Sequence, residues 1–146
     1  MSTIKDKPLS EIVISEIMIP SEKVAHVQMN NPLEHALLVL VKSGYSAVPV
    51  LDVNYKLMGT IGKTIILNQI LGLERFEFEK LSEMRVNELM KTEIPILKKD
   101  MSFMDGLNVL INYPFVCVAD EEGYFDGIVT RRAILKQLKR DIYTKK

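Results

Sequence analysis

Tryptophan is absent from these 146 residues and cysteine occurs once, so no internal disulfide framework and no cysteine-rich metal cluster can form. The lone Cys117 lies in the apolar run Phe115-Val116-Cys117-Val118, where a thiol serves packing rather than chemistry. Histidine is scarce too. His26 and His35 stand with no cysteine or paired carboxylates at ligand spacing, which leaves a metal ion too few donors. An excess of one charge is also lacking: 19 basic residues balance 19 acidic ones, and no global field steers the chain toward nucleic acid or an anionic membrane. No apolar run approaches the roughly 20 residues of a membrane span. The opening Met1-Ser2-Thr3-Ile4-Lys5-Asp6 has no signal-peptide core, which points to the cytoplasm. Nor does any nucleophile stand with a base in a recognisable pattern, so the expectation is a non-enzyme.

What the chain does have is Gly127-Ile128-Val129-Thr130-Arg131-Arg132-Ala133-Ile134-Leu135, a buried strand turning directly into a helix. Two arginines in a first helical turn are unusual. The helix dipole is positive there and backbone N–H groups are unpaired, so each cation costs roughly 0.3–1 kcal/mol unless an anion offsets it. Thr130 is placed to cap the helix, and Arg131 and Arg132 can add forked, charge-assisted hydrogen bonds to phosphate oxygens. The competing reading is an ordinary amphipathic helix whose arginines, with Lys136, Lys139 and Arg140, face water or a partner protein.

Taken in order, the chain predicts a poorly ordered start over residues 1–8 and a short helix capped by Ser10 and stopped by Pro20, with Ile12, Val13, Ile17 and Met18 apolar. A strand at 23–27 follows. Asn30-Asn31-Pro32 starts a helix whose stripe is Leu33, Ala36, Leu37, Leu40 and Val41, closed by Gly44. Strands at 47–51 and 57–62 flank a hairpin turn at 52–56, and a helix runs from Lys63 to about Leu71.

The second half repeats this order. Glu16-Ile17-Met18 returns as Glu88-Leu89-Met90, the early strand returns at 92–97, and Asp100 takes the capping place of Asn31. The helix stripe returns as Phe103, Leu107, Leu110 and Ile111, and residues 115–120 match 47–52. Gly59-Thr60-Ile61-Gly62-Lys63-Thr64 falls in register with Gly127-Ile128-Val129-Thr130-Arg131-Arg132. The organisation read from this is an N-terminal segment 1–12, a first repeat 13–72, a connector 73–85, a second repeat 86–140 and a tail 141–146. The connector alternates charged and apolar residues without Pro and is expected to be packed. Two β-α-β-β-α units, each too small to close a core alone, give an α/β (α+β) fold with pseudo-two-fold symmetry. Such symmetry predicts a cleft between the repeats, lined by the early strand, the junction Tyr45-Ser46-Ala47 and a strand-to-helix turn.

This arrangement resembles the CBS domain pair, the tandem (Bateman) module that binds adenine nucleotides, over about residues 13–140. The residues that carry the likeness are the hydrophobic-Pro-Val-Leu-Asp…Gly segment at 48–59 and Gly127-Ile128-Val129-Thr130, which looks like the family's Gly-x-x-Thr-x-x-Asp motif. Where that motif has its ribose-holding Asp, this chain has Ala133 in the second copy. In the first copy Gly62 replaces Thr and Ile65 replaces Asp. Lys23 to Gln28, Leu33 to Leu40, Gly72 to Arg75, Phe115 to Val118 and Thr130 to Arg132 look more specifically like the free-standing cyclic di-AMP receptors of Gram-positive bacteria, the DarB/CbpB group. That likeness implies a homodimeric disc that binds cyclic di-AMP and, according to occupancy, binds and modulates a target enzyme such as a (p)ppGpp synthetase/hydrolase. It implies no cofactor, no nucleic acid and no membrane partner.

The residues suit such a ligand, which carries two phosphodiesters and two adenines. Lys23, Arg131 and Arg132 supply charge, Tyr45 or an arginine plane can stack on adenine, and Ala25 and Ala47 leave room for a base. Ser46 and Thr130 can donate to phosphate, and backbone groups around Val24, Ala25, His26 and Ser46 can read a base edge, with His26 flanking. Each has an ordinary use as well: Lys23 as a solvated loop lysine, Tyr45 as a core-edge aromatic, Ala25 as strand packing. Two further outcomes stay open, a general AMP or ATP sensor and a constitutive interaction module with an empty cleft.

Overall fold

A computed structural model describes residues 7–144, so the predicted disorder over 1–8 falls mostly outside the described residues. The chain forms two compact units that cut across the sequence repeats. One takes the N-terminal segment through Val24 together with Pro95 onward; the other is Ala25–Ile94.

In the first unit the strands are β1 (Ile19–Pro20), β5 (Ile96–Leu97), β6 (Phe115–Ala119) and β7 (Phe125–Thr130), in the order β1-β7-β6-β5. The second unit has the sheet β2 (Val27–Gln28), β3 (Ala47–Leu51) and β4 (Leu57–Gly62), with β3 central. In both, a parallel edge strand pairs with the middle strand (Val27↔Val50, Ile96↔Cys117), which pairs antiparallel with the next (Ala47↔Gly62, Phe115↔Thr130). Helices α1 (Leu33–Ser43), α2 (Lys63–Ile70) and α3 (Lys80–Glu83) belong to the second unit, and α4 (Phe103–Leu110) and α5 (Arg131–Thr144) to the first.

Each sheet buries one apolar cluster. Ile12, Ile14, Leu97, Phe103, Val116, Val118, Val129 and Ile134 fill the first unit; Val27, Leu33, Ala36, Leu40, Val48, Val50, Ile61, Ile66 and Val86 fill the second. At about 1.5–3 kcal/mol for each fully buried aliphatic side chain, these clusters are the main drivers of folding. Cys117 is part of the buried set, and burial pushes its thiol up to about 12, which leaves it protonated and inert.

Several local expectations hold. Gly44 caps α1 at φ 77°, its N–H donating to the Leu40 carbonyl at 3.0 Å. The Asp52 carboxylate accepts from Asn54 N and Lys56 N and shapes the first hairpin; Asp120 does the same for Glu122 and Tyr124.

Others are corrected. The stretch from Ser10 to Pro20 is not an α-helix but two 3₁₀ turns, Leu9–Glu11 and Ile14–Glu16, followed by β1. Its backbone is used sideways: Ile14 N donates to Met101 O and Ser15 N to Lys99 O, while Ile12 O accepts from Phe103 N. The early strands are shorter than read. After Pro20 the chain makes a 3₁₀ turn at Ser21–Lys23, and pairing begins only at Val27; Pro95, which has no N–H, delays the second ladder to Ile96. Helix caps also moved. Ser102 rather than Asp100 caps α4, in a reciprocal box with Asp105, and the Asn31 side chain accepts from Gln28 N ahead of Pro32. The connector is hydrogen-bonded (Gly72 N to Arg75 O, 2.9 Å), but Leu73, Phe76 and Phe78 are exposed, and only its later part packs, through Leu81 and Met84.

Candidate functional site

Both units build the same corner. The last residue of an antiparallel strand hands over to a helix, and the helix's first N–H donates to the residue just before the partner strand. Arg131 N donates to Pro114 O at 2.9 Å in the first unit, and Lys63 N to Ser46 O at 2.9 Å in the second. The corner exists because each antiparallel pair ends in register there, Phe115↔Thr130 and Ala47↔Gly62.

In the first unit the corner is cationic and capped. The Thr130 hydroxyl accepts from Ala133 N at 3.1 Å, as the sequence predicts for a helix N-cap. Arg131 and Arg132 are both exposed on the first turn of α5. Their surroundings differ. Arg131 Nε donates to the Leu110 carbonyl at 3.0 Å, so its guanidinium is moored to the negative end of α4 with its terminal nitrogens left over. Among the described residues Arg132 makes no ion pair or hydrogen bond through its side chain, and it stands on the positive end of a helix dipole. A fork with no partner at the positive end of a helix dipole suits an anion.

Lys23 and Val24 also belong to the first unit. Lys23 is exposed at the end of the 3₁₀ turn that packs on β7, and Val24 is buried, its N–H donating to Ser21 O at 3.1 Å. The register Ile19↔Ile128, Pro20↔Gly127 runs the chain toward the start of β7 as it approaches Lys23. Within this unit Lys23 therefore stands toward the opposite end of β7 from Arg131 and Arg132.

The remaining residues share the second unit. The parallel register of β2 on β3 (Val27↔Val50) carries Ala25 and His26 alongside the opening residues of β3, close to Ser46 and Ala47. Tyr45 and Ser46 are exposed in the junction after Gly44, and Tyr45 N donates to Ser43 Oγ at 3.3 Å. His26 packs edge-on against Tyr55, with ring centroids 5.4 Å apart. Gly62 is tightly fitted here: a Cβ would stand 3.1 Å from Ser46 O and 3.6 Å from the Ala47 methyl. Ala25, Tyr45, Ser46 and Ala47 are thus brought together with Gly62 and Lys63. Lys63 was not among the residues singled out from sequence, although the alignment of 59–64 with 127–132 places it opposite Arg131.

Among the described residues no group of His, Cys, Asp and Glu could hold a metal ion, and no helix is long and apolar enough to cross a membrane. The corners offer cations and hydroxyls, which bind anions and polar rings rather than activate a nucleophile.

Comparison with known proteins agrees with this geometry. The CBS domain model matches residues 14–72 and 86–140. The chain is 50% identical over 142 residues to Cyclic di-AMP receptor B of Bacillus subtilis, covering 97% of each. Among solved structures, a CBS domain-containing protein of unknown function from Bacillus anthracis matches at 59% identity and TM-score 0.85, with 90% of this chain and 96% of that one covered. CbpB of Listeria monocytogenes, solved in complex with c-di-AMP, matches at 48% identity and TM-score 0.83, covering 90% and 98%.

Proposed function

The chain belongs to the CBS domain family, and we propose from that premise that it is a non-catalytic receptor for cyclic di-AMP. The observation that carries the reading is the Thr130-Arg131-Arg132 turn, with its cap made and Arg132 unengaged, in a chain that matches a cyclic di-AMP receptor along nearly its whole length. Arg132 takes a phosphodiester by a forked pair of hydrogen bonds, and Arg131 contributes the nitrogens left free by its Leu110 bond. Ser46 and Thr130 add hydroxyl donors, and Tyr45 offers an adenine its ring. Ala25 and Ala47 leave room for the base, whose edge is read by backbone groups around Val24 and His26. The ribose is held without a carboxylate, since Ala133 and Ile65 stand where the family has Asp.

The protein works as a homodimer in the cytoplasm, and ligand occupancy selects which surface it offers to a target enzyme, a (p)ppGpp synthetase/hydrolase being the candidate. A ligand does this only by binding one state of the receptor better than the other.

Isothermal titration with cyclic di-AMP, and in parallel with AMP, ATP and cyclic di-GMP, tests the reading. Selective cyclic di-AMP binding that Arg132→Ala weakens by about tenfold or more supports it. Preference for AMP or ATP would make the chain a general adenine-nucleotide sensor, and silence from all four would leave an interaction module.

A further inference from the structure

The two Asp-led turns are built with the same bonds but not with the same residue at their tightest point. In the turn before β7 the Gly123 N–H donates to the Asp120 carbonyl at 3.0 Å with φ 94°; in the turn before β4 the Tyr55 N–H donates to the Asp52 carbonyl at 3.0 Å with φ 69°. Glycine takes a positive φ freely, whereas a bulky side chain there crowds the backbone. Tyr55 is the one non-glycine residue with positive φ among the described residues. The Asp52 and Asp120 carboxylates hold the two turns alike, so the turn itself gives no reason for a tyrosine. Its ring gives one: it stands edge-on to the His26 imidazole, with the planes at 82°. The partner changes in step with it. Val27 pairs with Val50 as Leu97 pairs with Val118, so the residue ahead of the pair is His26 in one unit and Ile96 in the other. Tyrosine goes with histidine, and glycine with isoleucine. Val27, Val48 and Val50 are buried in the cluster under α1 and α2, so strand alternation turns His26 and Ala47 to the other face of the sheet.

We propose that Tyr55 is a positioning residue for the base site: its ring holds the His26 imidazole as a fixed wall on the sheet face that carries Ala47, and the unfavourable backbone at Tyr55 is kept for that purpose. An imidazole at a sheet edge can turn about two side-chain torsions, and fixing it before the ligand arrives reduces the entropy lost on binding. Tyr55 therefore acts on the ligand through His26 rather than by touching it. The base against that wall rests on the cyclic di-AMP reading; the hold of Tyr55 on His26 does not.

The test uses the full chain, whose two histidines give two sets of imidazole NMR signals, with His35 on α1 as the internal reference. Tyr55→Asn removes the ring and keeps a side chain that tolerates positive φ, whereas Tyr55→Phe keeps the ring. In Tyr55→Asn the His26 signals are expected to move while those of His35 stay, the thermal midpoint to remain within about 3 °C of wild type, and cyclic di-AMP affinity by calorimetry to fall about three- to tenfold. Tyr55→Phe is expected to restore both the His26 signals and the affinity. In a His26→Ala background Tyr55→Asn should weaken binding no further. His26 signals unmoved in Tyr55→Asn, an equal loss of affinity in Tyr55→Phe, or a further loss in the His26→Ala background overturns the proposal. Wild-type affinity in a Tyr55→Asn chain whose His26 signals have moved overturns the role in binding. A wild-type chain silent to nucleotide strikes the receptor reading and that role with it, and the NMR comparison still decides whether Tyr55 sets the His26 ring.

Discussion

The two units are built alike where they fold and differ at the corner that forms the candidate site. Each contains a 3₁₀ turn whose third residue is a glutamate accepting from the backbone N–H ahead of the turn: Glu16 from Val13 N at 3.1 Å, Glu88 from Arg85 N at 2.6 Å. Each then lays a carbonyl against a strand glycine, Ile19 O on Gly127 and Lys91 O on Gly59. The corner after the strand is hydrogen-bonded identically. At that corner the first unit has Thr130, Arg131 and Arg132, and the second has Gly62, Lys63 and Thr64, with no side-chain cap on α2. The two units share the backbone solution, and the side-chain cap with its arginine pair stands in only one of them.

The backbone half of that comparison gives the largest expected effect. A methyl on Gly59 would overlap the Lys91 carbonyl, and one on Gly127 the Ile19 carbonyl; neither obstacle is a side chain that can swing away. Gly59→Ala and Gly127→Ala should each cost about 3 kcal/mol, read as a lowered denaturation midpoint in urea. A large loss in one unit with none in the other would break the equivalence of the two backbones.

The ligand half comes next. Arg132→Ala should weaken cyclic di-AMP binding by about 1.5–3 kcal/mol, roughly 10- to 100-fold, and leave unfolding within about 0.5 kcal/mol of wild type. Arg131→Ala should show both effects, a weaker ligand and about 1 kcal/mol of lost stability from the Leu110 bond. Lys63→Ala should change affinity less than either. Calorimetry that ranks Lys63 above Arg132 would reverse the one-sidedness argued here.

The cap should matter slightly less. Thr130→Ala removes the acceptor for Ala133 N and should cost about 1 kcal/mol by thermal unfolding, whereas Thr64→Ala, at the second residue of the uncapped helix, should cost little.

Much of this was legible because duplication gave each motif twice. The hairpin strands at 47–62 and 115–130, the Asp-led turns, the Gly44 cap and the Thr130 cap follow from local chemistry and were read correctly. What was missed depends on partners distant in sequence. The 9–20 segment has a helix-compatible pattern, yet Ile12 and Ile14 pair their backbone with residues 101–103, and no local periodicity reports that. Asp100 and Ser102 are both acceptable caps; the reciprocal partner Asp105 decides for Ser102. At the candidate site the sequence pointed to the arginine pair, but not to the mooring of Arg131 on Leu110, which lies 21 residues away.

The smallest effect separates the two glutamate-closed 3₁₀ turns. Glu16 accepts not only from Val13 N but also from Lys7 Nζ at 2.7 Å, and the Lys7 hydrogen bond, then the Val13 N–H, hold its carboxyl below the ordinary value of 4.5. A carboxylate with a depressed folded-state pKa adds stability that is present above the unfolded value and is lost as the pH falls through the folded one. Wild-type stability should therefore fall on acidification from about pH 5 downward more steeply than that of Glu16→Gln. Lys7→Ala should cost about 0.5 kcal/mol at neutral pH and flatten the same acid limb, because the pair is partly solvated. Among the described residues Glu88 has no ion-pair partner, so the second turn offers no counterpart for Lys7 to imitate. Parallel urea titrations between pH 3 and pH 7 would measure this directly, and an acid limb unchanged in Lys7→Ala would show that the backbone bond to Val13 alone sets the behaviour of Glu16.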